Sequence, residues 1–406
     1  MAFEPIVALE IGTTWTVVLV GESMDGQGGD IRIVGRGVKE TAGVCKGLIT
    51  EINQARVSVE EAVAAAAEAS NTRIGLVHLA VSDGHIASDT LVGKAVIESP
   101  DATVTEDDMD AALEIIDAAS VEDDRQILHR IPQFYTLDGK AGLPNPEGKH
   151  GRELEASALV IHGRRNHLDD AVAVARAANL DVRDTVFAGL MAAKAALTDE
   201  HKREGALLVH LGGGVTDYIC FANGAPMLAA SIPVGGDHVT NDIKLAFDLT
   251  TRQAEELKIA NGRAMPDPRT SRERIPVGKG VRDFEERTVS LRALHTVMNA
   301  RLKEIFEVVR QHVDEQGCLP LLGGGVVLTG GGAYVPGLAE LAANVFGTRR
   351  CEIGTIRGVS GLEDLEQPAQ YAAAAGLIMH GFESSAAEES TLTGIGRAIR
   401  RFLPWS

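Results

Sequence analysis

Two stretches of this chain share one pattern, and their spacing constrains the fold more than any other feature. In one, the apolar run Ala206-Leu207-Leu208-Val209 reads as a buried strand, enters Gly212-Gly213-Gly214, turns through Val215-Thr216-Asp217 and leaves as Tyr218-Ile219-Cys220-Phe221. In the other, Ile6-Val7-Ala8-Leu9-Glu10-Ile11 runs into Gly12-Thr13-Thr14 and out through Val17-Val18-Leu19-Val20. Glycine at such turns permits φ > 0 and lets backbone N–H groups approach an anion closely. One glycine-rich hairpin is more often only a turn. Two of them about 200 residues apart predict a duplicated nucleotide-binding fold with a phosphate chain held between the hairpins.

The 406 residues suffice for several domain units, and the net charge is −18. That charge opposes nucleic acid and anionic membranes in bulk, so no nucleic-acid partner is expected and any anion contact needs a local basic patch. Cys45, Cys220, Cys318 and Cys351 lack the close-pair spacing of a zinc site or disulfide framework, which fits a reducing cytoplasm. The first residues enter a strand without an apolar leader, and no apolar run approaches the roughly 20 residues a spanning helix needs.

Between the hairpins the pattern is mixed. Residues 57–70 read as a helix and 76–81 as a buried strand ending at Ser82-Asp83-Gly84. Residues 85–164 change character and read as a small inserted α+β subdomain. Its helix is capped by Thr105, and strands follow at 126–131, 134–137 and 154–161 around a Gly/Pro loop at 139–151. Small-residue helices at 188–197 and 371–382 suit close packing at a domain junction. Helices are expected at 237–247, from about 251, and at 289–313; the second carries Glu255 and Lys258 on one face. A strand at 323–329 meets Gly330-Gly331-Gly332, read as a glycine turn opening a helix at 336–346. The Ser/Glu/Thr-rich stretch 383–393 reads as a flexible linker.

At about 100° per residue, Ile395, Ala398, Ile399, Phe402 and Leu403 of the final segment share one face, while Arg397, Arg400 and Arg401 share the other. With Trp405 at its end, this segment reads as an interfacial membrane helix, too short to span. One short helix binds weakly, so stable attachment implies several copies and hence polymerisation.

These pieces resemble the actin/Hsp70/sugar-kinase ATPase superfamily and, over essentially the whole chain, the bacterial cell-division FtsA family. LEIGTTWTVVLVGE resembles the first phosphate motif, with Glu10 where most of the superfamily has Asp, and LLVHLGGGVTDYICFANG resembles the second. IPVGGDHVTNDIKLAF resembles the segment that follows, TRQAEELKIANG the adenosine-side helix, and VVLTGGGAYVPGLAELAANVFG the adenosine motif. ILHRIPQFYTLDG with PNPEG resembles the family's middle subdomain, and the tethered amphipathic terminus its membrane-targeting helix. The resemblance implies an α/β, two-domain actin-like fold (ribonuclease H-like, duplicated) with a family-specific inserted α+β subdomain. It divides the chain into subdomain 1A at 1–84 and 165–203, the insertion 1C at 85–164, subdomain 2A at 204–226 and 313–358, and 2B at 227–312. A helix at 359–382 returns to 1A, followed by the linker 383–393 and the membrane helix 394–406.

The same resemblance implies ATP and Mg2+ in the cleft. Gly12, Thr13 and Thr14 from one hairpin, and Gly212, Gly213, Gly214 and Thr216 from the other, are expected to present N–H groups and hydroxyls to phosphates. Gly235 and Gly236 are expected at the α-phosphate and sugar, Glu255 and Lys258 at ribose and adenine, and Gly331 and Gly332 under the base. Glu10 is expected to hold Mg2+ through water. The departure is His210, where the superfamily carries Asp. A neutral imidazole holds hydrated magnesium poorly and a protonated one repels it, so ATP is expected to be hydrolysed slowly or not at all, with Asp217 a candidate for part of the missing role.

The implied partners are further copies in a protofilament, an anionic membrane, later division proteins at 1C, and the C-terminal peptide of the tubulin-like protein FtsZ at 2B. Arg301 and Glu304 match polar family positions for that peptide. The implied place is the cytoplasmic face of the inner membrane at the division site. Two other readings use the same motifs: a PilM-like pilus-assembly scaffold, which does not usually end in a basic amphipathic helix, and a sugar or acetate kinase, which needs a general base and an acceptor pocket.

Overall fold

The first half is built outward from a hairpin. β1 (Ile6–Ile11) pairs antiparallel with β2 (Trp15–Ser23), from Ile6↔Gly21 to Ile11↔Thr16. The computed structural model describes residues 4–24, 30–270, 272–277 and 287–392. β3 (Ile31–Glu40) adds antiparallel to β2, and a small hairpin of β4 (Val44–Cys45) and β5 (Leu48–Ile49) leads into α1 (Ile52–Ser70). β6 (Leu76–Val81) returns parallel to β1.

The insertion follows as β7 (Ala87–Val96), α2 (Glu106–Asp117), β8 (Arg125–Leu137), β9 (Lys140–Leu143) and β10 (Glu153–Arg164), in sheet order β7-β10-β8-β9. Two strands were expected where β8 runs unbroken through Pro132. The register against β10 shifts between Ala156 and Ala158, and the Ser157 hydroxyl accepts the Phe134 N–H at 3.2 Å, so the proline is absorbed in a bulge. β7 carried no clear strand signal because its residues are exposed or half-buried, with Gly93 alone buried. The Thr105 cap is present as a reciprocal capping box with Asp108.

The chain re-enters the first half with α3 (Arg165–Ala177), β11 (Asp181–Phe187), α4 (Ala188–Ala196) and α5 (Asp199–Glu204). The second half then begins with β12 (Ala206–Leu211), β13 (Thr216–Ala222) and β14 (Ala225–Ile232). Next come α6 (Gly236–Phe247), α7 (Thr251–Asn261), the hairpin β15 (Arg274–Val277) with β16 (Arg287–Ser290), and α8 (Leu291–Glu315). β17 (Gly325–Thr329), α9 (Leu338–Phe346), β18 (Cys351–Ile353), β19 (Val359–Ser360) and α10 (Ala372–Leu392) complete the described chain.

The duplication is explicit in the sheets. One has order β3-β2-β1-β6-β11, with β19 added at its β3 edge; the other has order β14-β13-β12-β17-β18. In each, three antiparallel strands adjoin two parallel ones, and the hairpin occupies strands two and three. Between the sheets lie α4 and α10. Eight of the nine residues of α4 are buried, and a Cβ at Gly376 of α10 would overlap the Met191 carbonyl, so small side chains set how closely these helices cross.

Two expectations are corrected. α10 continues to Leu392, through most of the stretch read as a flexible linker; the alanines and glutamates at 386–389 are strong helix formers, and composition alone underweights them after a buried helix. The glycines after β17 do not open a helix. They form a 3-10 turn, Gly331–Tyr334, and α9 starts only at Leu338. The amphipathic segment 394–406 lies outside the described residues. Among the described residues, no helix is long and apolar enough to cross a membrane.

Candidate functional site

The two hairpins end in the same closed turn. Gly12 N–H donates to the Trp15 carbonyl at 3.1 Å, and Gly212 N–H to the Val215 carbonyl at 3.0 Å. These two donors are thus consumed within the turns and do not face a ligand, as they were expected to. Among the described residues, no partner takes the N–H groups of Thr13, Thr14, Gly213 or Gly214. The open donors therefore sit at the tips. The tips meet: a Cβ on Gly213 would overlap Thr14 Oγ1, and one on Gly214 would crowd Thr13 Oγ1 and Lys46. Only glycine permits this approach.

Behind the tips a cavity of about 560 Å³ runs between the halves, a size suited to a small-molecule cofactor. Its lining includes an apolar set, Gly331, Gly332, Ile259, Met298, Leu302 and Pro336. Glu255 and Lys258 of α7 line it too. Lys258 Nζ lies 2.7 Å from Glu255 Oε2, donates to Thr240 Oγ1 at 2.8 Å, and reaches the Gly236 carbonyl at 3.2 Å. Thr240 also hydrogen-bonds Glu255. This lysine is a cation held at the start of α6, where the helix dipole also favours an anion although the Gly236 and Asp237 N–H groups are taken by the Gly212 and Gly213 carbonyls.

Three ionisable groups face the hairpin end. Burial, with the nearby Asp217 charge, pushes the Glu10 carboxyl up to about 8, and its Oε2 is buried without a partner among the described residues. Burial raises Asp217 to about 7, against the opposing effect of hydroxyls from Ser231 at 2.6 Å and Ser82 at 2.7 Å. Burial lowers His210 to about 4, so this imidazole is neutral near pH 7. Its Nδ1 lies 3.1 Å from Thr329 Oγ1 and its Nε2 4.0 Å from Glu10 Oε1. Repulsion by a protonated imidazole, one of the two ways His210 was expected to disfavour magnesium, therefore does not operate near neutrality.

Of the residues singled out from sequence, Glu10, Gly12, Thr13, Thr14, His210, Gly212, Gly213, Gly214, Asp217, Gly236, Glu255, Lys258, Gly331 and Gly332 line the one cavity. Thr216 and Gly235 do not. Thr216 is fully buried and donates its hydroxyl to the Val234 carbonyl at 2.7 Å; Thr16, at the same register of the first hairpin, is buried as well. Gly235 packs on the Gly212 and Gly213 carbonyls and seats α6 behind the turn. Arg301 is held by both oxygens of Asp242, at 2.6 and 3.1 Å, and by Glu304 at 2.8 Å. It fastens α8 to α6, and Glu304 is the more exposed of the two. The expected membrane residues Ile395, Arg397, Ile399, Arg400, Arg401, Phe402, Leu403 and Trp405 lie outside the described residues. Sequence reasoning missed Ser82, Asp237, Tyr334, Gln367 and Gln370, which also line the cavity from loops and helix starts without a motif of their own.

Two α/β halves of one topology, each lending a glycine hairpin to a shared cavity, define an actin-like nucleotide-binding fold. Solved structures with that fold include the PilM–PilN type IV pilus biogenesis complex, with TM-score 0.65 and 17% identity over 93% of this chain and 98% of that one. MreB5 of Spiroplasma citri bound to ADP matches with TM-score 0.55 and 14% identity over 96% and 98%. A family model described as cell division protein FtsA matches residues 207–376, and one for the SHS2 domain inserted in FtsA matches 83–162. The cell division protein FtsA of Pseudomonas aeruginosa is 33% identical over 93% of this chain and 89% of its own length. That of Escherichia coli is 30% identical over 98% and 97%. The chain belongs to the FtsA family of cell-division proteins.

Proposed function

We propose that this protein binds ATP between its hairpins, assembles into protofilaments and fastens the FtsZ ring to the inner face of the cytoplasmic membrane. The observation that carries the reading is the cavity itself: its lining joins unpartnered N–H groups at Thr13, Thr14, Gly213 and Gly214, the Lys258 ammonium beside Gly236 and the Glu255 carboxylate, with an apolar set of Ile259, Met298, Leu302 and Pro336. That combination matches a triphosphate joined to a base. The orphaned Glu10 Oε2, with Asp217 nearby, fits the waters of a magnesium ion arriving with the phosphates. Such an ion would offset phosphate charge and return Glu10 to its carboxylate form. Glu10 and Asp217 are also the groups that could take a proton from water, but neutral His210 supplies no carboxylate beside them. ATP on this reading is a slowly hydrolysed structural ligand.

The FtsZ peptide would dock on 2B along α8, where Glu304 is exposed and exchanges its bond to Arg301 for one to a partner, while Arg301 stays held by Asp242. Later division proteins would use the inserted subdomain, and the terminal basic helix the membrane. The nucleotide step is tested by titrating Mg-ATP into the purified chain. Lys258→Ala should weaken binding by roughly tenfold, the worth of one charged hydrogen bond. Equal affinity in both would sink this assignment of the cavity.

A further inference from the structure

The neck of the inserted subdomain holds three side chains that the nucleotide site does not use. Asp83 lies in the turn after β6, His85 two residues on, and His167 in the first turn of α3. They come from both crossings of the chain into and out of the insertion: the matched inserted domain begins at residue 83 and ends at 162. Asp83 is buried, and its Oδ1 accepts the His85 backbone N–H at 2.6 Å, which fixes the carboxylate. That same oxygen lies 3.2 Å from His85 Nδ1 and 3.7 Å from His167 Nδ1. One ligand atom from each residue falls within 4.8 Å of the other two. The two rings meet edge to face with centroids 4.7 Å apart.

Hydrogen bonding within the cluster does not account for all of it. His167 Nδ1 is buried and has no partner among the described residues. An imidazole nitrogen left bare beside a carboxylate oxygen and a second imidazole is the donor set of a metal site. Ligand atoms about 3 to 3.5 Å apart surround an ion bound at about 2.0–2.1 Å, and two of the three separations are close to that range. The His85 side chain is 41% exposed and gives an entry path. Two imidazoles and one carboxylate favour a first-row transition ion over magnesium, which prefers oxygen and keeps its waters.

We propose that Asp83, His85 and His167 bind a divalent transition-metal ion of the zinc class, with water completing its shell, and that the ion clips together the two crossings at the neck of the insertion. The proton on the His85 Nδ1 that faces Asp83 would move to Nε2, which frees Nδ1 for the metal. The clip would be felt at the nucleotide cavity, because the adjacent Ser82 donates to Asp217 there and its carbonyl abuts Gly47. It would also restrain the orientation of the inserted subdomain.

The test uses the untagged full chain, stripped with a chelator and titrated with Zn2+ by calorimetry in millimolar Mg2+, without nucleotide. One equivalent should bind, and Co2+ in its place should give the visible absorption of a site with nitrogen ligands. His85→Ala and His167→Ala should each weaken Zn2+ binding by at least about tenfold, while His150→Ala, an exposed histidine of the insertion, should leave it unchanged. Zn2+ should raise the melting midpoint of the wild-type chain and of His150→Ala only. Replacing exposed His85 leaves the core intact, so its result is readable even if His167→Ala fails to fold. Absence of saturable one-equivalent binding to the wild-type chain, or wild-type affinity in His85→Ala, would overturn the site.

Discussion

Glu10 keeps its proton at a pH where a surface glutamate has lost it. Its carboxyl is raised from 4.5 to about 8, first by burial and then by Asp217. Between those values the folded chain binds more protons than the unfolded one, so stability falls as pH rises through that window and stays reduced above it. Asp217 is shifted in the same direction, to about 7. Glu10→Gln removes the Glu10 part of the loss. Without nucleotide, the variant should melt higher than wild type at pH 8–9 by a few kcal/mol at most, taking about 1.4 kcal/mol per pH unit, and the gap should close toward pH 4. Melting curves across that range test it; a gap independent of pH would show that Glu10 is ionised in the fold. With Mg-ATP the order should reverse, because the amide cannot serve the ion. His210→Asp, at the matching register of the other hairpin, places a carboxylate beside Glu10. It should raise steady-state phosphate release about tenfold or more if that missing charge limits hydrolysis. Release no faster than wild type would place the limit elsewhere.

At the scale of elements, close backbone approach organises the packing. Gly37 of β3 faces α1 so tightly that a Cβ would overlap the Ala62 carbonyl, which is backbone and cannot swing aside. Gly37→Ala should therefore cost about 1–3 kcal/mol, read as a lower denaturant midpoint at unchanged slope. An unchanged midpoint would mean α1 can shift outward freely. Elements with a buried face were legible in the sequence, because burial imposes periodicity. The hairpins, α4, α7 and α8 are of that kind. β7 is exposed or half-buried apart from Gly93 and left no alternation to read. β8 was split at Pro132 because a proline ordinarily ends a strand, and only the Ser157 hydroxyl across the sheet reveals the bulge. The end of α10 was hidden by polar composition. At the site, residue types and spacing marked the cavity, but not which amide each turn consumes. Gly12 and Gly212 spend theirs on Trp15 and Val215, and Thr216 turns its hydroxyl to Val234. Those partners are set by turn geometry, which spacing alone does not specify.

On the scale of the whole molecule, charge would decide how the chain meets a membrane under the proposed tethering. Residues 394–406 hold three arginines and no acid, whereas the full chain carries −18, so the rest carries −21. An anionic surface repels that body and attracts only the terminal segment. Each copy should therefore bind weakly, and filaments that present many copies should bind far more strongly. Three outcomes follow for co-sedimentation with anionic vesicles in Mg-ATP. Pelleting of the full chain should rise more steeply than linearly with protein concentration, fall as salt is raised, and vanish on zwitterionic vesicles. A chain ending at Thr393 should bind Mg-ATP with unchanged affinity, since every residue lining the cavity lies before it, yet stay in the supernatant. If the shortened chain pelleted as well as the full one, the membrane contact would have to lie on the acidic body, and the tethering function would lose its physical basis. If the full chain pelleted in simple proportion to concentration, single copies would be sufficient and filament formation would not be what holds the protein at the membrane.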